Sequence, residues 1–369
     1  MKHQETTITQ PENKQEHLVT KLIMFITLYL LLNYFIISEI YYFLEIPKNT
    51  WFSIILIIMS FSYVLGAAAI RYSNNVLAKT INIIGSTWLG IVAIAFIILV
   101  LVELLLFLKI IIPEQRIILT FITITAITIY ALINATYTHK KTINITTNKI
   151  KKPITLIQVS DIHIGATHKK NFLERIIQKI NEEKPDITVI TGDLIDGKHK
   201  YEKNYFDVLR KIKSETYMVL GNHEEMTGIK TVKELLRKSN IKILENQKIK
   251  KQEINIIGIN DTDKKRKMIL ELNKINTNPK EYNVLLFHRP IGFKQARKKI
   301  DLMLTGHTHA GQIFPLNLIL RFFYKKIKGL KKKQNSYLYV SPGTGWWGPP
   351  MRLGSKNEIT IFKIKPEQK

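Results

Sequence analysis

The 369-residue chain contains no cysteine. Disulfide frameworks, zinc-thiolate sites, iron–sulfur clusters and cysteine nucleophiles are therefore excluded, and any metal must be held by His, Asp, Glu, Asn or backbone groups. Acidic residues are few, 29 against 55 Lys and Arg, and arginine is scarce, 10 against 45 lysines. Through Thr138 the chain carries only 8 basic and 7 acidic residues, so +25 of the net +26 falls on the remainder. So uneven a distribution excludes a single globular core, and it excludes a disordered basic tail as well.

Apolar sequence fills the first part. Residues 19–44, 51–70, 84–108 and 117–137 each reach the roughly 20 residues that a helix needs to cross a hydrocarbon core. A soluble helical bundle would need polar faces that these runs lack. The first run is too long and too weakly flanked for a cleavable signal peptide, and no twin-Arg pair precedes it. Tyr41, Tyr42, Trp51, Tyr130 and Tyr137 stand near run ends, as in interfacial aromatic belts. Lys2, Lys14, Lys21, Arg71, Lys79, Lys140, Lys141, Lys149, Lys151 and Lys152 flank the runs on one side, against Lys48, Lys109 and Arg116 on the other. The positive-inside rule then places both termini in the cytoplasm. Glu103, inside the third run, is either a functional proton or substrate contact or a carboxylate that snorkels outward or pairs with Lys109.

From Pro153 the pattern changes to short β-type runs, 154–160, 187–191, 217–220, 254–259, 282–287 and 302–305, alternating with helical ones such as 171–183 and 201–213. Such alternation indicates an α/β sandwich, in which function sits at the carboxyl ends of strands. Unusual polar groups stand there in series: Asp161-Ile162-His163, Gly192-Asp193-Leu194-Ile195-Asp196, Gly221-Asn222-His223-Glu224, His288, and Gly306-His307-Thr308-His309. Side chains two apart on an extended segment face the same way, so Asp161 and His163 converge, as do His307 and His309. Any one group reads equally well as a surface turn. Five in order, each closing a strand, supply seven potential ligands of hard oxygen and imidazole. They are enough for two metals sharing one carboxylate, and the chemistry suits Mn, Fe, Zn, Ni or Co.

These motifs resemble, in content and order, those of the calcineurin-like metallophosphoesterases, over roughly residues 150–365. The resemblance implies a four-layer αββα sandwich behind the four-helix transmembrane domain. Ser341-Pro342-Gly343-Thr344-Gly345 and Pro350-Met351-Arg352-Leu353-Gly354 look like the subgroup of membrane-associated bacterial enzymes that includes those acting on UDP-diacylglucosamine. The family's roles assign Asp161, His163 and His309 to a first metal, Asn222, His288 and His307 to a second, and Asp193 as the bridge. Hydrolysis by metal-activated hydroxide follows, with His223 stabilising charge or protonating the leaving oxygen. Asp196 and Glu224 are expected to orient ligands and loops, and Arg289 to contact phosphate. Ala310 departs from the family, whose members often carry a second glycine after His-x-His. Arg289-Pro290 after His288 is another departure. His168, isolated in a lysine-rich loop, reads as solvent-exposed.

A basic domain also invites a nucleic-acid reading. The excess of lysine over arginine weighs against it, because specific phosphate and base recognition favours the planar guanidinium. The apolar and aromatic run 316–324, followed by Lys325, Lys326, Lys328 and Lys331 to Lys333, has the character of a segment that sinks into an anionic membrane surface. A packed helix with a solvated basic end is the other reading of that stretch. The expected organisation is a cytoplasmic tail (1–18), a four-span domain (19–138), a basic linker (139–152) and a catalytic domain (153–369). The leading expectation is a multi-pass cell-membrane phosphoesterase that binds two divalent metals, faces the cytoplasm and cleaves a phosphodiester or pyrophosphate bond of a lipid or nucleotide-lipid. The alternatives are a phosphodiesterase or nuclease on soluble nucleotides or nucleic acid, and a catalytically silent membrane sensor.

Overall fold

A computed structural model describes residues 12–73, 75–165, 168–197, 201 and 204–367. Among the described residues, four helices are long and apolar enough to cross a membrane: α1 (Glu12–Phe43), α2 (Thr50–Tyr72), α3 (Val76–Phe107) and α4 (Pro113–Thr136). Helix α1 begins before the expected position 19 because the polar Glu12–Val19 stretch contains no glycine or proline to break a helix. Residues 1–11 of the expected tail lie outside the described residues. Glu103 pairs with Arg116 (2.8 Å) rather than Lys109, and Arg116 also holds Glu39 at 2.9 Å. The planar guanidinium joins the ends of three helices there, whereas Lys109 sits past the end of α3 with φ +55°.

The rest of the chain builds strands β1 (Thr138–Thr147), β2 (Ile154–Val159), β3 (Ile187–Thr191), β4 (Glu215–Val219), β5 (Ile241–Ile243), β6 (Gln247–Lys251), β7 (Ile254–Gly258), β8 (Tyr282–Leu286), β9 (Leu302–Thr305), β10 (Gly329–Lys333), β11 (Ser336–Val340) and β12 (Asn357–Pro366). Between them lie helices α5 (Lys170–Glu182), α6 (Asn222–Thr227), α7 (Ile229–Leu236), α8 (Lys265–Lys274), α9 (Phe293–Ala296) and α10 (Leu316–Phe323). Two six-stranded sheets result, in the orders β1-β12-β2-β3-β4-β5 and β10-β11-β9-β8-β7-β6. Strands β2 to β5 run parallel, as do β7, β8, β9 and β11.

Period-two alternation distributes the apolar side chains over both faces of each sheet. Leu156, Val189, Tyr217 and Val219 point between the sheets against Ile256, Val284, Leu286 and Leu304. Ile157, Val159, Ile190 and Met218 point outward against Phe172, Leu173, Ile176, Ile177 and Ile180, the apolar stripe of α5. On the far side Ile257, Leu285 and Met303 meet Met268, Leu272 and Phe293 from α8 and α9. The layers are therefore helix, sheet, sheet, helix.

Two segments differ from expectation. The basic stretch 139–152, expected as a linker, contains most of β1, which pairs in parallel with β12 over its full length. Its lysines face outward while Ile143 and Ile145 turn into the core, so the charge conceals a β-type alternation. Among the described residues of 201–213, expected as a helix, Tyr205–Lys211 form a 3-10 turn rather than an α-helix. Phe206, Val208 and Leu209 are all buried there.

Membrane and catalytic parts meet directly. Met351 and Ile313 share an apolar cluster with Ile94, Ile98, Val102 and Ala131 of α3 and α4. The backbone N–H of Arg352 donates to the Ala131 carbonyl (2.9 Å). Asn134 donates to the carbonyls of Arg352 (2.8 Å) and Ser355 (3.0 Å), and Asn357 donates to that of Ala135 (2.6 Å). Close by, α10 leaves its apolar side uncovered: none of its residues is buried, and Phe322 is 88% exposed.

Candidate metal centre

The carboxyl ends of β2, β3 and β4 in one sheet and of β8 and β9 in the other converge at one edge of the sandwich. The loops leaving β2, β3 and β9 turn sharply. Asp161, His163, Asp193, His307 and His309 all adopt left-handed backbone, with φ between 48° and 72°. Non-glycine residues avoid that region, and its concentration here marks a place where structure is held against local preference. Ala310, at φ +54°, occupies the same region, which glycine adopts without strain. The approach of the two sheets needs Gly306, because a Cβ there would lie 2.0 Å from Ser160 Oγ and 2.2 Å from Asp161 Oδ2.

The expected ligands fall into two adjoining clusters. Asp161, His163 and His309 offer donor atoms within 4.8 Å of one another, and so do Asp193, His288 and His307. In the first, the Nε2 atoms of His163 and His309 face each other at 3.0 Å, with Asp161 Oδ1 3.6 Å from His309 Nε2. In the second, His288 Nε2 lies 3.2 Å from Asp193 Oδ2, 3.1 Å from Asn222 Oδ1 and 3.1 Å from His307 Nδ1. Asp193 stands between the two, its Oδ2 3.9 Å from His163 Nε2.

The donor set fits divalent cations. His288 Nδ1 lies 2.8 Å from the Thr191 carbonyl, which only accepts, so that nitrogen carries hydrogen and Nε2 faces the cluster. Burial lowers the affinity of His288 for a second proton, but Asp193 and Asp161 outweigh it and raise the imidazole to about 10. Burial, with His288 and Arg289 adding to it, pushes His307 down to about 3. Burial and His163 likewise hold His309 well below its ordinary value. Both rings are neutral and available as ligands.

The other expected residues surround these clusters. Glu224 is buried and accepts three backbone N–H groups: Asp193 (2.8 Å) and Gly221 (2.7 Å) on Oε2, and Ile195 (2.9 Å) on Oε1. It thereby ties the Asp193 loop to the Asn222 loop. Asp196 Oδ1 lies 3.0 Å from His223 Nδ1 and 3.5 Å from His163 Nδ1. Burial opposes its ionisation, but those two imidazoles hold its carboxyl well below the usual range. Arg289 is anchored to Asp261, Nε to Oδ2 at 2.9 Å, which leaves Nη1 3.3 Å from His307 Nε2.

Two residues behind the centre differ from the sequence reading or escape it. His168 is buried rather than exposed: its Nε2 accepts the Trp346 N–H (3.1 Å), and its ring stacks on Phe172. Phe172 opens the apolar stripe of α5, and that nearby apolar surface draws the imidazole inward. Arg352, fully buried, donates to the carbonyls of His309 (2.8 Å) and Gly345 and to Asn357 Oδ1 (2.8 Å). Burial without an acidic partner in contact brings its guanidinium down to about 9. The sequence offered only the Pro350–Gly354 run as a hint of it.

Residues 154–311 match the family model described as calcineurin-like phosphoesterase. The chain is 37% identical over 258 residues to an uncharacterized metallophosphoesterase of Campylobacter jejuni, covering 67% of this chain and 69% of that one. It is 35% identical over 237 residues to an uncharacterized metallophosphoesterase of Aquifex aeolicus, covering 60% and 89% respectively. It is also 35% identical to a bovine transmembrane protein with metallophosphoesterase domain, covering 56% of this chain and 51% of that protein.

Proposed function

The chain belongs to the calcineurin-like metallophosphoesterases, and from that membership we propose that it is a multi-pass membrane enzyme cleaving a phosphodiester or pyrophosphate bond in a lipid or nucleotide-lipid. The observation that carries the lipid reading is the seating of the catalytic loops on α3 and α4, with the uncovered apolar side of α10 beside them. A segment with that face and with Lys325, Lys326 and Lys328 after it lies in a headgroup layer. The basic flanks of the spans favour a cytoplasmic catalytic domain.

Asp161, His163 and His309 would hold one metal, and Asn222, His288 and His307 a second, with Asp193 available to both. When bound, such ions supply Lewis acidity to the phosphoryl oxygens and make water acidic enough to yield a nucleophile near neutral pH. The protein's own part is positioning. Glu224 fixes the Asp193 and Asn222 loops through three amides. Asp196 orients His223, whose imidazole donates a proton to the departing oxygen. Arg289, held by Asp261, presents positive charge to the phosphate.

Purified protein with Mn²⁺ should hydrolyse bis-p-nitrophenyl phosphate, and Asp193→Asn and His223→Ala should abolish this. Full activity in Asp193→Asn would refute the mechanism. Because the native chain lacks cysteine, one cysteine engineered near the C-terminus reports topology. An impermeant maleimide that labels it from outside intact cells would reverse the orientation.

A further inference from the structure

A cavity of about 480 Å³ lies between the second membrane helix and the catalytic loops. Tyr63, Ala67, Ile70 and Arg71 of α2 line one wall, and Asp196, His223 and Trp347 line the other. The four α2 residues follow the i, i+4, i+7, i+8 spacing of a single helix face. They extend over about 12 Å of helix, at 1.5 Å per residue. Tyr63 and Ala67 lie within the expected span 51–70, and Arg71 is one residue past it. The cavity thus reaches from the hydrocarbon edge into the headgroup layer. Its size suits a ligand headgroup, being within the range of small-molecule sites.

Charge is distributed unevenly within it. The Asp196 carboxylate is turned toward His163 and His223. Among the described residues Arg71 has no carboxylate within ion-pair distance. An apolar wall continuous with the bilayer, an arginine at headgroup depth and an opening onto His223 match one kind of ligand: an amphiphile with an anionic phosphate head.

We propose that this cavity seats the headgroup of a membrane-embedded phosphate amphiphile, with Arg71 gripping one of its anionic oxygens, so that a membrane helix selects the substrate. The assignment rests on the reading that the metal centre cleaves a lipid-borne phosphoester, and it adds where the lipid enters and which residue recognises it.

The test uses the full chain in phosphatidylcholine nanodiscs, with Trp51, Trp88 and Trp346 replaced by Phe so that Trp347 reports from the cavity wall. Dioleoyl phosphatidic acid brominated on its chains, the simplest diacyl phosphate, is compared as quencher with brominated phosphatidylcholine. Phosphatidic acid should quench at about ten-fold lower mole fraction, as expected for one charge-assisted contact. Arg71→Gln should bring the two curves together, and Arg71→Lys should keep part of the difference. Equal quenching by both lipids, or an undiminished preference in Arg71→Gln, overturns the assignment. Glycerol 3-phosphate should not displace the brominated lipid, and full displacement by it would assign the cavity to a soluble ester instead. In the chain with all its tryptophans, phosphatidic acid should inhibit bis-p-nitrophenyl phosphate hydrolysis, about ten-fold less so in Arg71→Gln. Hydrolysis without lipid preference removes the cavity assignment alone. Lipid preference without hydrolysis removes the enzymatic reading and leaves the binding site.

Discussion

Replacing Glu224 by glutamine tests whether the metal centre is held together from behind. Its carboxylate accepts two N–H groups on Oε2 and one on Oε1. A glutamine keeps its single oxygen in the two-donor position and turns its NH₂ toward the Ile195 amide, so one bond is lost and two are reduced from charged to neutral. Hydrogen bonds to a charged group contribute about 1.5–3 kcal/mol against about 0.5–1.5 for neutral ones. The summed loss is about 3.5–6 kcal/mol on that scale. Burial pushes the Glu224 carboxyl up, as does Asp193 beside it, so removing the charge returns part of that loss. A net destabilisation of about 3 kcal/mol corresponds to a fall of roughly 6–12 °C in melting temperature for a domain of this size. The matching functional effect is weaker metal binding, by about 10- to 100-fold, as is usual when a ligand loses its support. Melting in detergent at one fixed scan rate, with a Mn²⁺ titration, measures both. If Glu224→Gln melts within 2 °C of the wild type and binds metal equally well, the three-amide clamp does not hold the loops and the reasoning fails.

Three further outcomes follow from the same geometry. Gly306→Ala should lower the metal content of the purified protein, because its Cβ would collide with Ser160 and Asp161; a first-site affinity within two-fold of wild type would contradict this. Ala310→Gly should raise the melting temperature slightly, since relief of a left-handed alanine, offset by glycine's entropy, leaves a gain of under about 1 kcal/mol. Metal binding at pH 7.5 should release about one proton or more per chain, because His288 is raised to about 10 and must lose its second proton to become a ligand. Proton and metal compete there, so affinity should rise with pH up to about 10 and fall as pH falls. Calorimetry in two buffers of different ionisation enthalpy measures the release, and a result of zero would show His288 neutral before metal arrives.

The catalytic strands were legible because their β-branched runs are short, apolar and closed by polar groups; β3 and β9 coincide with the expected 187–191 and 302–305. The proposed ligands were legible for the same reason, each following a strand directly. Residues whose role comes from distant packing were not. Lysines mask the Ile143 and Ile145 alternation of β1. His168 lies in a basic loop but is drawn under Trp346. Arg352 acquires its meaning only when β12 brings Asn357 beside it and the loop after β9 brings His309. The wall contributed by α2 is likewise invisible in sequence, because nothing local to Arg71 refers to His223.

A single residue, Tyr137, separates the end of α4 at Thr136 from the start of β1 at Thr138. The last membrane helix therefore passes into an outer strand of the catalytic sheet with no tether between them, and hydrogen bonds from Asn134 and Asn357 brace the joint. A domain on a flexible stalk can sweep a volume and reach an opposing membrane. This one is mounted like a fixed blade, so under the lipid reading proposed above its substrate would have to reach it by lateral diffusion in its own bilayer.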